Sequence, residues 1–163
     1  WYYADTCFMG IGQQDVKASP LQIARMTASV ANGGYLLTPH VVTDILDVEG
    51  NVVRSTDVEA KKVDVAEQHL EAIRKGMWES VNSSDGAGNQ ARVPGLSIAG
   101  KTGTAEFRRQ DGVWDQHAWF TGYMPANDPQ YVVTVYFDRG VGGVKAAPIA
   151  GLIMKYIQEN LVQ

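Results

Sequence analysis

The spacing of apolar residues along this 163-residue chain changes period several times. Residues 1–18 show neither helical nor strand spacing and contain Gly10 and Gly12, so they predict an irregular lead-in. Ser19-Pro20-Leu21-Gln22 is a helix start: Ser19 caps, Pro20 suits the first helical position, and Gln22 completes a capping box. Leu21, Ala24, Ala28 and Ala31 recur at helical spacing, which implies close packing of that face, and Gly33-Gly34 ends the helix. Residues 41–48, a turn at Glu49-Gly50-Asn51, and Val52-Val53 predict a β-hairpin. Asp64 with Glu67 opens a second helix whose stripe is Ala66, Leu70, Ile73, Met77 and Val81. It should end in the Ser-, Gly- and Asn-rich residues 82–89. Three strands are expected next, at 96–107, 117–123 and 131–137, joined through Asp111-Gly112 and through residues 125–129. Gly140, Gly142 and Gly143 lead into a last helix from about Ala147, with Pro148 in its first turn and Ile149, Leu152, Ile153, Tyr156, Ile157 and Leu161 on one face. The pattern predicts an α+β fold: a three-stranded antiparallel sheet flanked by helices.

The length fits one domain with a sizeable core. A formal net charge of -4, with no cluster of Lys or Arg, argues against a nucleic-acid partner. Cys7 is the only cysteine, so no internal disulfide forms, and it reads as a small packed hydrophobe. His40, His69 and His117 lie far apart with no carboxylate or thiol at ligand spacing, so no metal is expected. No apolar run reaches membrane-spanning length and no signal peptide is evident. The first residue is Trp1 rather than Met, which suggests a processed product or a piece of a longer protein.

The densest chemistry is the stretch GLSIAGKTGT at 95–104. From its first glycine it spells G-x-x-x-x-G-K-T, a phosphate-cradling loop. Residues 131–138 then resemble a strand ending in the carboxylate of Asp138, which such a site also uses. A phosphate loop, however, needs a strand before its first glycine and a helix starting near the Lys-Thr pair. Residues 90–94 are too short and polar for that strand. Gly103 and the Asp111-Gly112 turn leave no room for the helix. From its lysine the same stretch spells Lys101-Thr102-Gly103, one of the short motifs of serine acyl-transfer sites. On a strand, Lys101 and Gly103 share one face and Thr102 and Thr104 the other. An edge strand here offers free backbone groups to an extended peptide, and a lysine on it can hold a carboxylate. On these three residues alone, an ordinary surface strand with a solvated lysine is an equal reading.

The wider context resolves this. The segments GIGQ (10–13), SPLQ (19–22), ANGG (31–34), AGKTGTAE (99–106), HAWFTGY (117–123) and AAP (146–148) occur in this order. Together they closely resemble the transpeptidase domain of class B penicillin-binding proteins. The Trp1-to-Asp5 opening is most similar to the elongation type, penicillin-binding protein 2. The resemblance covers nearly the whole chain and corresponds to the C-terminal part of that domain, whose fold is shared with serine β-lactamases. It implies a peptidoglycan D,D-transpeptidase that cross-links stem peptides through an acyl-serine intermediate and binds penicillin, with no cofactor. It implies that Lys101 supplies positive charge beside the nucleophile. Thr102 and Thr104 would hold the substrate or β-lactam carboxylate, Gly103 would let the acyl chain approach, and the Thr104 N–H would serve the oxyanion hole. It further implies a location on the outer, periplasmic face of the bacterial cytoplasmic membrane, through an anchor outside this chain. Elongation-machinery membrane proteins would be partners of the full-length protein.

One departure is large. No S-x-x-K occurs, so residues 1–163 are expected to be a partial transpeptidase domain lacking the upstream half with the serine, and inactive alone. Ser80-Val81-Asn82 spells S-x-N but lies after Ser19-Pro20-Leu21-Gln22, on the wrong side for the family, and is read as coincidence. Without its upstream strands, the sheet is expected to expose an edge near residues 131–137, through which the chain self-associates or pairs with another. A non-catalytic homologue that recognises peptidoglycan or β-lactam is the alternative.

Overall fold

The computed structural model describes residues 2–13 and 16–161. The lead-in is not irregular. It holds α1 (Tyr3–Gly10), whose first turn is tied by the Asp5 carboxylate accepting the Tyr2 N–H at 2.6 Å. Gly10 and Gly12 read as loop signals, yet Gly12 is the end of this helix. At φ +70° it lets the Gly12 N–H reach the Met9 carbonyl at 3.0 Å and the Gln13 N–H reach the Phe8 carbonyl at 3.0 Å. This pair of bonds is a Schellman closure, which needs a left-handed residue that glycine supplies without strain. No residue of α1 is buried, and Cys7 is exposed rather than packed.

Helix α2 (Pro20–Ala31) starts as expected. The Ser19 hydroxyl accepts the Gln22 N–H at 3.3 Å and the Gln22 side chain accepts the Ser19 N–H at 2.7 Å. Its inward face is rotated from the predicted one, however. Thr27 and Ser29 are buried, and Leu21 is 62% exposed. The Thr27 hydroxyl lies 2.8 Å from that of Thr121, and Thr121 lies 2.8 Å from Thr134, so a line of three hydroxyls joins the helix to the sheet.

Four short strands follow: β1 (Tyr35–Leu37), β2 (Asp44–Leu46), β3 (Val52–Ser55) and β4 (Ala60–Lys62). The predicted hairpin is present as the β2–β3 pair, shorter than the 41–48 run. Its turn is held by the Asp47 carboxylate, which accepts N–H groups from Glu49 and Asn51 and the Asn51 amide. These bonds hold that carboxyl below the usual range, the Asn51 side-chain bond contributing most. The β1–β4 pair, Tyr35 opposite Lys62, was not foreseen.

Helix α3 (Glu67–Asn82) has Ala66 at its cap position with no side-chain capping bond, so Asp64 does not cap it. Of the predicted stripe, Leu70, Met77 and Val81 are buried, while Ile73 is half exposed. Arg74 pairs with Glu67 and donates to the Val30 carbonyl at 3.1 Å, fastening α3 to α2.

The central sheet is β5 (Ala99–Arg108), β6 (Trp114–Met124) and β7 (Tyr131–Phe137), in that order and wholly antiparallel. The third strand matches its prediction residue for residue, and β6 starts earlier than expected, at Trp114. On one sheet face Ala118, Phe120, Met124, Val133 and Val135 pack against α4 (Ala147–Asn160) and the 3-10 turn Asn89–Ala91. On the other, Ala99, Tyr123 and Val132 meet Met77, Val30 and Ala31. The Phe120 ring lies across two partnered glycines, Gly100 and Gly122; a Cβ on Gly100 would stand 2.3 Å from it. That ring fills the space both glycines leave.

Helix α4 starts where the sequence places it, with Pro148 in its first turn. The face it buries is the opposite of the large apolar stripe: Ala147, Ala150, Gly151 and Met154 go inward, and Leu152 and Tyr156 are 63% and 62% exposed. The reason is distance. A Cβ on Gly151 would lie 2.8 Å from the Ala91 carbonyl oxygen, so only a small-residue face fits against the 3-10 turn.

Candidate active site

Lys101, Thr102, Gly103 and Thr104 all lie in β5, an outer strand of the sheet. Their cross-strand partners are Thr121, Phe120, Trp119 and Ala118. Thr102 is buried, with its methyl facing Gly143, while Lys101 is exposed on the α2 and α3 side. The alternation expected of a strand therefore holds through the motif.

A phosphate loop is incompatible with this path. Gly95 sits in a turn at φ +84°, the Leu96 N–H bonds the Val93 carbonyl, and after Lys101-Thr102 the chain continues as strand to Arg108. No helix begins there to offer its amides. Asp138 is engaged elsewhere, accepting from the Tyr136 hydroxyl at 3.2 Å beside His117.

Two glycines bring a second backbone against the motif. A π-type turn, Gly142–Ala146, precedes α4 and lies on the β5–β6 pair. A Cβ on Gly142 would stand 2.4 Å from the Gly103 carbonyl oxygen and 2.5 Å from that of Trp119. The Gly142 N–H donates to the Thr104 hydroxyl oxygen at 3.3 Å. That hydroxyl oxygen thus accepts from inside the fold.

The outer backbone groups of β5 follow from three bonds. The Gln13 side-chain amide donates to the Thr104 carbonyl at 3.0 Å, and its oxygen accepts the Glu106 N–H at 3.2 Å. Across the sheet the Gln116 carbonyl, on the partner of Glu106, accepts the Gly140 N–H and so faces away from β5. In an antiparallel ladder a residue's N–H and C=O point the same way and alternate from residue to residue. Thr102, Thr104 and Glu106 therefore turn both groups outward. Lys101 folds back to donate to the Thr102 carbonyl at 2.7 Å. Among the described residues none takes the Thr104 N–H. Surface recesses lie beside Glu106, Trp114, Asp115 and Gln116, and beside Gly95, Pro125 and Gln158.

Ser80 and Asn82 stand apart from this arrangement. Both lie in α3; Asn82 donates to the Trp78 and Ile98 carbonyls at 2.8 Å each, bracing the start of β5. The Ser80 hydroxyl is buried against Gly88. The role of Gln13 escaped sequence reasoning, although it closes the GIGQ segment. Only the end of α1 at Gly12 signals that its side chain is aimed.

Comparison with known proteins gives the family. The family profile described as "Penicillin binding protein transpeptidase domain" matches residues 1–155. The Haemophilus influenzae protein named Peptidoglycan D,D-transpeptidase MrdA is 34% identical over 96% of the chain. The solved structure of penicillin-binding protein A from M. tuberculosis, a ceftriaxone acyl-enzyme complex, is 30% identical over 91% of the chain with a TM-score of 0.79. Pseudomonas aeruginosa PBP2 is 30% identical over 98% of it with a TM-score of 0.75. The chain spans 26% of the Haemophilus protein and about a third of each solved chain, 34% and 35%. With the family profile matched along nearly its whole length, the chain belongs to the penicillin-binding-protein transpeptidase family.

Proposed function

We propose that this chain forms the Lys-Thr-Gly wall of a serine-type peptidoglycan D,D-transpeptidase of the elongation type. The observation that carries the reading is the Thr104 edge. Its N–H points outward with no described partner, while the flanking carbonyl and hydroxyl oxygen are already fixed by Gln13 and Gly142. A donor held still beside a free strand edge suits the oxygen of a tetrahedral acyl intermediate, and losing such a donor costs about 3–4 kcal/mol of transition-state stabilisation.

The roles in this reading are those that the family resemblance implies. A stem peptide ending in D-Ala-D-Ala, or a β-lactam in its place, lies along β5 as an added strand. A serine oxygen from a segment preceding these residues attacks the penultimate carbonyl. The bond to the terminal D-Ala nitrogen breaks, that amine leaves with a proton, and an amine of a second stem peptide then takes the acyl group. Lys101 supplies positive charge near the serine's proton-relay groups. The hydroxyl protons of Thr102 and Thr104 meet the carboxylate, and Gly103 keeps the approach clear. Residues 1–163 are in this reading a partial domain, and no step calls on a cofactor. The whole protein works on the outer face of the cytoplasmic membrane beside other wall-synthesis membrane proteins.

The test is labelling with a fluorescent penicillin. The 163-residue chain stays unlabelled, whereas the protein extended through its upstream serine segment is labelled, and Lys101→Ala slows that labelling by about 100-fold or more. A labelled 17.8 kDa chain with the label mapped to one of its serines would sink the reading.

A further inference from the structure

We propose that Gln13 is a positioning residue of this site and sets the limit of ligand pairing along β5; this rests on the transpeptidase reading above. Its primary amide turns one N–H and its oxygen to the strand, a donor and an acceptor such as a peptide backbone offers to a strand edge. Both are used, on the Thr104 carbonyl at 3.0 Å and the Glu106 N–H at 3.2 Å, across more than ninety residues of chain. Gln13 thus occupies the place where an added strand would continue past Thr104. The Thr104 carbonyl is taken by Gln13 and that of Thr102 by Lys101, so a ligand pairs with the N–H groups of these two residues and goes no further.

The side chain is aimed by its own backbone. Gln13 is the last residue of the Schellman closure, with its N–H on the Phe8 carbonyl and Gly12 at φ +70° before it. Helix α1 buries none of its described side chains, and this amide clamp ties the turn after it to β5. Holding the Thr104 carbonyl fixes the 104–105 peptide plane and holding the Glu106 N–H fixes the next, so the strand is pinned directly after the plane that carries the Thr104 N–H. Gln13 touches neither ligand nor nucleophile, and acts through that strand.

The experiment uses the protein that includes its upstream serine segment, comparing parent, Gln13→Ala and Gln13→Glu. Three readouts are taken: the second-order rate of acylation by a fluorescent penicillin, hydrogen exchange at the Glu106 amide, and Tm. Gln13→Glu is the informative variant, because it keeps length and shape and the acceptor to Glu106 while replacing the donor to Thr104 with a charged acceptor. Acylation falls about 3- to 10-fold in both variants, the worth of one net hydrogen bond. Glu106 exchange quickens in Gln13→Ala, and Tm stays within about 2 °C of the parent. Parent rates in Gln13→Glu overturn the assignment, and so does a loss confined to Gln13→Ala that tracks a fall in Tm. A parent that is not acylated overturns the transpeptidase reading instead, and the Glu106 exchange still reports whether the clamp holds.

Discussion

The Gly142 N–H sits 3.3 Å from the Thr104 hydroxyl oxygen, joining the turn before the last helix to the strand that carries the motif. The contact exists because Gly142 has no Cβ. One added there would stand 2.4 Å from the Gly103 carbonyl oxygen and 2.5 Å from that of Trp119, both backbone atoms that cannot step aside. Gly142→Ala is expected to cost about 1–3 kcal/mol, in the range of overpacked cores. Urea unfolding measures it, and a midpoint equal to the parent's would contradict the packing described.

Phe120 is the second expectation. Its ring is buried and roofs Gly100 and Gly122. Phe120→Ala removes the ring and exposes two glycines in adjacent strands, so about 3–5 kcal/mol is lost. Thermal and urea unfolding should agree on that range. A loss under about 1 kcal/mol would mean that the sheet closes over the gap.

The line of hydroxyls from Thr27 through Thr121 to Thr134 gives a third. Thr121→Val keeps the volume and removes the middle link, leaving the buried Thr27 hydroxyl without that partner. About 1–3 kcal/mol is expected. Converting Thr27 to Val as well removes the orphan, so the double variant loses less than the sum of the singles. Strict additivity in this cycle would show that the hydroxyls are not coupled.

The fourth concerns alkaline pH. Burial raises the Tyr123 hydroxyl above its ordinary value of 10.0, with the Arg74 guanidinium opposing. The folded state thus resists ionisation that the unfolded chain accepts. The stability due to the neutral phenol is complete below pH 10 and is lost as pH rises from there through the folded value. Unfolding free energy should decline above pH 10, and Tyr123→Phe should flatten that decline. An identical pH profile for the two proteins would assign the loss to other groups.

Much of the sheet was legible because its signals are local. Residues 131–137 are all β-branched or aromatic, and Ser19, Pro20 and Gln22 carry their helix start in four residues. The helix faces were less legible. In α4 the large apolar residues mark a stripe of the right period, but Gly151 must pass within reach of the Ala91 backbone, so alanines and glycine turn inward. In α2 a hydroxyl chain overrode the apolar count. The β1–β4 pairing joins two three-residue strands far apart in sequence, and no local period announces such a contact. At the proposed site, Lys101 to Thr104 could be read from the motif together with the ordered segments around it. Gln13 could not, because an amide acting as a peptide mimic has no spacing rule. Its role depends on where the end of α1 lands in space.

At Gly103, Gly142 and the Trp119 carbonyl, peptide group meets peptide group with no side chain between. Substitution changes side chains, so this seam offers mutation nothing to exchange except at the cost of the fold. Variation that keeps the fold has to come from the margins, at positions such as Gln13, whose contact with the strand is made by its side chain.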